Sequence, residues 1–286
     1  HTTDAGRTWD EVLVNEDPEG FWDGLAFWDR SAGMLIGDPT WSEDAGRRVL
    51  TVLITEDGGA TWDRVGAALP ELAEAVSRKT ELVLDEYCFA ASNRSIALEP
   101  GGRAWLGTGG AAARVLRTAD MGRSWDAVDS GLGQSDAAAG VFAVDVIDRS
   151  GLRPIVFAVG GAYDVPDGAA QTGAWSFDGG STWQLPEAGP GGYRSAVVCG
   201  VSPRPVILAA DTTSTVVRGT PPRPFALAAG TTGLSLTVGP EFTGWTDRQT
   251  AALNAISLAP GTGTVWAVGP NGDVWTGEMR SVFGAE

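Results

Sequence analysis

Short apolar runs rich in Val, Ile, Leu and Trp recur along the chain, each bounded by Gly, Pro, Asp or Ser. Runs of that length, closed by turn formers, read as β-strands buried on one or both faces. The first full set lies at 23–28, 33–37, 48–54 and 62–65. A second covers 88–98, 103–106, 114–117 and 125–128, and a third 141–147, 155–159, 173–176 and 183–185. A fourth starts at 193–198 and continues at 206–209 and 215–218; a last one covers 253–258, 264–268 and 272–276. Only 71–76, inside a long insertion, reads as a short helix.

Between the third and fourth run of a set stands one polar stretch. It reads Thr55-Glu56-Asp57-Gly58-Gly59-Ala60-Thr61-Trp62, with near-copies at 2–9, 118–125 and 176–183. The shared pattern is Ser/Thr-x-Asp-x-Gly-x-Thr/Ser-Trp, carried by Asp4, Gly6 and Trp9, by Asp57, Gly59 and Trp62, by Asp120, Gly122 and Trp125, and by Asp178, Gly180 and Trp183. The carboxylate accepts bonds from the N–H groups of its own turn and from the later hydroxyl. Gly supplies positive φ, and Trp opens the next strand with a ring large enough to fill the space between packed sheets. In the fourth set the stretch after 218 reads Gly219-Thr220-Pro221-Pro222, a decayed copy.

Four short antiparallel strands per repeat is the plan of a propeller blade. The expected fold is an all-β propeller forming a single domain over 1–286, because repeats bury their apolar faces only against one another. The blades are 22–65, 88–128, 141–185, 193–250 and 253–278, preceded at 1–14 by the end of an incomplete one. The Trp-to-Trp spacings of 53, 63 and 58 residues place long loops at 66–87, 160–173 and 219–250.

Charge narrows the partners. Lys and Arg number 20 against 36 Asp and Glu, a net −16, so a phosphate backbone is repelled and nucleic-acid binding is not expected. No apolar run reaches the length of a membrane span. Cys88 and Cys199, each inside an apolar run, read as buried free thiols. His1 is the only histidine, so no metal centre and no cofactor are expected; a calcium site of Asp and backbone oxygens is left open but has no loop signature. Gly107-Thr108-Gly109-Gly110-Ala111-Ala112 fits a dinucleotide-binding glycine pattern on paper, but a strand follows it instead of a helix.

The boxes, with Ala26-Phe27-Trp28-Asp29, Gly37-Asp38-Pro39, Phe89-Ala90-Ala91-Ser92, Trp105-Leu106-Gly107-Thr108-Gly109-Gly110 and Gly191-Gly192-Tyr193-Arg194-Ser195, resemble the bacterial relatives of the photosystem II stability/assembly factor. That family is a sialidase-like, Asp-box (BNR-repeat) propeller, and the resemblance covers nearly the whole chain. It implies seven blades in the complete protein, about one and a half of them upstream of His1. It also implies a non-catalytic scaffold that holds other proteins during assembly, with export to the periplasm or beyond as the accompanying expectation. The photosynthetic members use an arginine-rich patch, and this acidic chain departs from that.

Within a blade, the start of the first strand and the end of the second converge at one mouth, while the boxes lie on the opposite rim. Asp23, Asp38, Glu86, Tyr163, Asp164, Tyr193 and Arg194 are thereby expected at the mouth, the usual place for binding loops on a rigid ring. Tyr193 and Arg194 with Glu86 and Asp164 are expected to form a polar site for another protein or an extended ligand. On that view Arg194→Ala weakens capture and leaves folding intact. The alternative is a glycoside hydrolase. A sialidase needs a tyrosine nucleophile, for which only Tyr87, Tyr163 and Tyr193 are available, and a xyloglucanase-like enzyme needs a carboxyl pair roughly 6.5–9.5 Å apart.

Overall fold

The computed structural model describes residues 1–18, 20–66, 68–76, 83–133, 136–149, 151–167, 171–202, 223–239, 241–249, 251–259 and 263–278. The fold is an all-β propeller of antiparallel, mostly four-stranded sheets. No α-helix occurs among the described residues, where the one helical element is a 3-10 turn at Pro270–Gly272.

The first sheet is β1 (Trp22–Phe27), β2 (Gly33–Ser42), β3 (Arg47–Thr55) and β4 (Asp63–Arg64), paired in that order. Next come β5 (Glu74–Val76) and β6 (Val83–Tyr87), an antiparallel pair. The expected helix at 71–76 is therefore corrected: Glu74–Val76 is extended, because β6 offers it a backbone ladder that so short a helix could not match. The second sheet is β7 (Ile96–Glu99), β8 (Arg103–Gly107), β10 (Arg114–Thr118) and β11 (Asp126–Asp129), with β9 (Gly109–Gly110) stepping out of it between β8 and β10. The third is β14 (Gly173–Ser176), β13 (Ile155–Ala162) and β12 (Asp136–Ile147), continued beyond β12 by β9, β6 and β5 to six strands, with Trp175 bridging Gln184 on the other side of β14.

The fourth sheet needs the larger correction. It consists of β15 (Ala196–Ser202), β16 (Arg223–Gly230), β17 (Gly233–Val238) and β18 (Thr246–Gln249), so 223–249 supplies three strands where a loop was expected. The runs at 206–209 and 215–218, and the decayed box at 219–222, lie outside the described residues. At the box position of this sheet the described turn residues are 241–245, ending in Trp245, which is buried against Phe242 and its neighbours. No Asp stands in that turn, and without one the repeat is hard to read in sequence. The last sheet is β19 (Ala255–Leu258), β20 (Thr264–Val268) and β21 (Val274–Glu278).

The core lies in the layers between successive sheets. Met34, Ile36 and Val52 of the first meet Ile96, Leu106 and Leu116 of the second. Trp105 and Val115 of the second meet Val144 and Val156 of the third, Phe157 of the third meets Val197 and Ala226 of the fourth, and Phe225 and Leu227 of the fourth meet Ile256 and Val265 of the last. A middle sheet is buried on both faces, which is why its strands read as continuous apolar runs. The first strands β1, β7, β12, β15 and β19 neighbour one another in that order and surround the axis.

Candidate functional site

Strand register fixes the two ends of the propeller. In the first sheet Trp22 lies opposite Gly37 at one end, while Gly33 lies opposite Thr55, the start of a box, at the other. Asp23 falls in a bulge of β1 and is buried beside Asp38. Asp23 Oδ2 and Asp38 Oδ1 lack hydrogen-bond partners among the described residues. Burial, and then the Asp38 charge, push the Asp23 carboxyl up to about 8. Asp38 is also raised by burial, against the opposing pull of the Cys88 N–H and Arg48. Burial thus favours the neutral form of the Asp23 carboxyl near neutral pH, the expected outcome for a carboxyl taken out of water beside a second one. The Cys88 thiol is pushed well up by burial and by Asp23, Asp38 and Glu86, which leaves it inert.

Glu86 and Arg194 are brought to this end of the molecule but not to its surface. Glu86 is fully buried; Arg114 Nε donates to its Oε1 at 2.9 Å, Arg114 also pairs with Oε2, Thr108 donates a hydroxyl, and the Ala73 N–H donates at 2.9 Å. Arg194 is fully buried as well. It donates to Ser235 Oγ at 2.6 and 3.1 Å, to the Tyr193 carbonyl at 3.0 Å, to Thr232, and to Asp247 Oδ1 at 3.3 Å. The two side chains therefore do not join Asp164 in one exposed polar site. Arg194 ties the start of β15 to β17 and β18, so its loss strikes the fold before it strikes any ligand.

What does converge is aromatic. Phe89 stacks on Phe142 with ring centroids 3.7 Å apart, and Tyr87 meets Phe89 edge-on at 5.4 Å. Tyr193 and Tyr163 meet Phe142 edge-on at 4.8 and 6.1 Å. Tyr87 ends β6 and Phe89 follows it, Phe142 lies in β12, Tyr163 directly follows β13, and Tyr193 precedes β15. Tyr193 is buried and its hydroxyl is pushed up by burial; Tyr87 is pushed up to about 12, by burial first and then by Tyr163, Asp38 and Asp136. Tyr163, 54% exposed, forms the lip with the exposed Asp164 beside it.

The glycine pattern at 107–112 belongs to this cluster. The Gly109–Gly110 strand is threaded between β6 and β12, and a Cβ on Gly109 would sit 2.2 Å from a Phe89 ring carbon and 2.6 Å from the Ala139 carbonyl. Its glycines allow close backbone passage under a ring, not phosphate binding. Asn93, at φ 56, exchanges two hydrogen bonds with the Leu25 backbone, and Ser92 donates to the Ser195 carbonyl at 2.6 Å, which closes the centre between sheets.

On the opposite rim the boxes repeat one geometry. Asp57 accepts from the Thr61 N–H at 2.9 Å and from the Thr55 and Thr61 hydroxyls at 2.8 and 2.7 Å, and Trp62 Nε1 donates to the Gly59 carbonyl at 3.2 Å. The Thr61 N–H first, then the two hydroxyls, hold Asp57 down at about 2. Asp4 is held at about 2 chiefly by the Thr8 N–H and Asp120 at about 2 chiefly by the Ser124 hydroxyl; for Asp178, bonds from Thr182 and Ser176 outweigh the opposing effect of burial. Trp28 Nε1 donates to the Arg103 carbonyl and Trp105 Nε1 to the Gly179 carbonyl, so each of these links one sheet to the next. A groove of about 370 Å³ on this rim, lined by Arg103, Arg117, Trp125 and Arg153, is separate from the mouth.

Sequence reading missed Tyr87, Phe89 and Phe142 as mouth residues, since each sits in an apolar run that reads equally well as core. Their one outward signal is the clustering of Tyr and Phe at strand ends next to glycines. No three His, Cys, Asp or Glu among the described residues are placed to hold a metal ion, and no helix among them is long and apolar enough to cross a membrane.

No family model matches the chain, and no curated protein matches it. Among solved structures it is similar to YCF48 bound to a D1 peptide, at 15% identity and a TM-score of 0.48, over 93% of this chain and 70% of that one. YCF48 from Cyanidioschyzon merolae is similar at 17% identity and a TM-score of 0.47, over 94% and 70%. The GH74 xyloglucanase from Xanthomonas campestris is similar at 15% identity and a TM-score of 0.40, over 93% of this chain and 46% of that one.

Proposed function

We propose that the protein is a non-catalytic propeller that binds another protein, or an extended ligand, at the mouth, an assembly-scaffold role of the kind its family resemblance implies. A seven-bladed ring and export from the cytoplasm belong to the same reading. The observation that carries it is the aromatic platform, in which Tyr87, Phe89, Phe142, Tyr163 and Tyr193 are locked by one stacked and three edge-on ring contacts and one of them, Tyr163, is left exposed. Aromatic rings on a rigid frame give large contact area at small entropic cost, the usual anchor of a protein interface. The ion pairs Glu86–Arg114 and Arg194–Asp247, in each of which one partner is fully buried, hold the backbone beneath the platform. Panning a random-peptide phage library against the protein tests this. Enriched peptides should lose binding to Tyr163→Ala while its circular dichroism stays unchanged; a library that enriches nothing, or binds the variant equally well, overturns it.

One observation favours a second reading, a glycoside hydrolase. A protonated Asp23 beside Asp38 is the arrangement of a general acid with a second carboxyl. Fluorogenic glycosides and sialosides separate the two: turnover lost in Asp23→Asn or Asp38→Asn replaces the binding reading, and absence of turnover retains it.

A further inference from the structure

The groove on the box rim is a separate place in the molecule, and it arises where the second sheet meets the third box. Arg103, Arg117 and Trp125 line one side, and Arg153, Pro154 and the turn at 178–181 line the other. Arginines converge there from distant positions in the chain. Arg149 donates to the Arg153 carbonyl at 2.5 and 2.8 Å and to the Phe177 carbonyl at 2.9 Å, which sets the backbone that carries Arg153. Arg117 donates to Ser181 Oγ at 2.5 Å and to the Gly179 carbonyl at 3.3 Å. Arg153 is exposed and reaches the Asp178 carbonyl and Ser181 Oγ only at 3.3 Å each, bonds long enough to be weak. Neither Arg149 nor Arg153 has a carboxylate partner among the described residues. Arg103 pairs with buried Glu99 at 2.5 Å, and Arg117 with Asp126 at 3.2 Å; Asp126 is 71% exposed, so water screens that second pair. Asp178, the other carboxylate in the lining, is taken up by the Ser176 and Thr182 hydroxyls and the Thr182 N–H. Two cations without a counter-charge therefore stand at or beside this groove, on a chain whose net charge is −16.

We propose that this groove binds an organic phosphate or sulfate ester, with the tetrahedral oxyanion among Arg103, Arg117 and Arg153 and the apolar body of the ligand against Trp125 and Pro154. A guanidinium is a planar fork of donors that engages two oxygens of such a group at once. Three of them approaching from two sides suit a tetrahedral oxyanion better than a flat carboxylate. The volume of about 370 Å³ lies at the small end of ligand sites and exceeds what a bare ion fills. The remaining space is walled by the half-buried Trp125, whose Nε1 is already given to the Gly122 carbonyl, and by buried Pro154. Those walls favour an apolar body attached to the anion. Asp126 is the competitor within the chain: an oxyanion that displaces its 3.2 Å contact takes over Arg117.

The test is isothermal titration calorimetry of the full chain with phenyl phosphate, phenyl sulfate, phenol and inorganic phosphate. At least one ester should bind with a Kd under about 1 mM, phenol should not bind, and inorganic phosphate should bind at least about fivefold more weakly than the better ester. The tighter of the two esters tells a phosphorylated ligand from a sulfated one. Arg153→Gln should weaken that ester by about fivefold or more with its circular dichroism unchanged, whereas Arg248→Gln, outside the groove, should leave it within about twofold. Asp126→Asn removes the exposed competing carboxylate and should tighten the ester by about threefold, which reads the same site without touching an arginine. Tyr163→Ala should leave ester binding unchanged, so the outcome is independent of the binding reading at the mouth. Failure of both esters to bind overturns the proposal, as does inorganic phosphate binding as tightly as the esters. An ester that binds Arg153→Gln and Asp126→Asn as it binds the parent protein overturns it too. If Arg153→Gln does not fold, the Asp126→Asn result decides.

Discussion

The two ends of the propeller are built on opposite principles. At the box rim one eight-residue unit is repeated, and each Asp is held low by donors from its own turn. At the mouth nothing repeats: Asp23, Glu86 and Arg194 are each buried in a different surrounding, and Asp23 is held high by burial and by the Asp38 charge, with no described donor to its Oδ2. Local hydrogen bonding makes the boxes robust and uninformative about function. Long-range packing, instead of a repeated turn, sets each buried side chain at the mouth.

The largest expected effect comes from the buried mouth pair. Arg114→Met leaves Glu86 buried without its cation, and should cost about 3–5 kcal/mol by denaturant melt. A loss under about 1 kcal/mol would mean the mouth is no more tightly built than the rim.

Next is the sign of the pH dependence. The Asp23 carboxyl is raised in the folded state, so its contribution is fully present below the unfolded value of 3.8 and is lost as pH rises through about 8. Asp23→Asn should therefore gain stability over the parent protein by roughly 3 kcal/mol at pH 8.5 and much less at pH 5. The box carboxylates run the other way: their contribution is present above the unfolded value and lost as pH falls through about 2. Asp57→Ala should accordingly lower Tm at pH 7 and cease to matter near pH 2. Parallel pH trends for the two variants would erase the contrast.

The smallest effects separate two copies of the same unit. Asp4 accepts from the Thr8 N–H at 2.9 Å and its hydroxyl at 2.7 Å, as Asp57 does from Thr61, and Trp9 Nε1 reaches the Gly6 carbonyl at 3.1 Å. Yet Trp9 is 71% exposed, whereas Trp62 is half-buried and meets Phe27 edge-on at 6.2 Å. Trp62→Ala should cost about 2 kcal/mol and Trp9→Ala under about 0.5 kcal/mol, because only the former removes packed area. Equal costs would show that the turn alone, and not the sheet under it, gives the box its value.

The strand plan was legible because it is set by local rules. Alternating apolar runs, glycines needing positive φ and a self-satisfied Asp turn each act over fewer than ten residues, as at Thr55 to Trp62. Where the local signal was missing, reading failed: β16 to β18 lack the Asp turn, and Glu74–Val76 became extended only because β6 lies beside it. The mouth was legible as a place, since register alone sends Asp23 and Asp38 to the end opposite the boxes. Its contents were not. Whether Arg194 meets solvent or Asp247, whether Glu86 is a ligand or a brace for Arg114, and which of three tyrosines is left at the lip all depend on contacts between residues tens of positions apart. Hydrogen bonds close within a turn are written in the order of the residues, whereas burial belongs to the assembled sheets, and only the tertiary structure decides it.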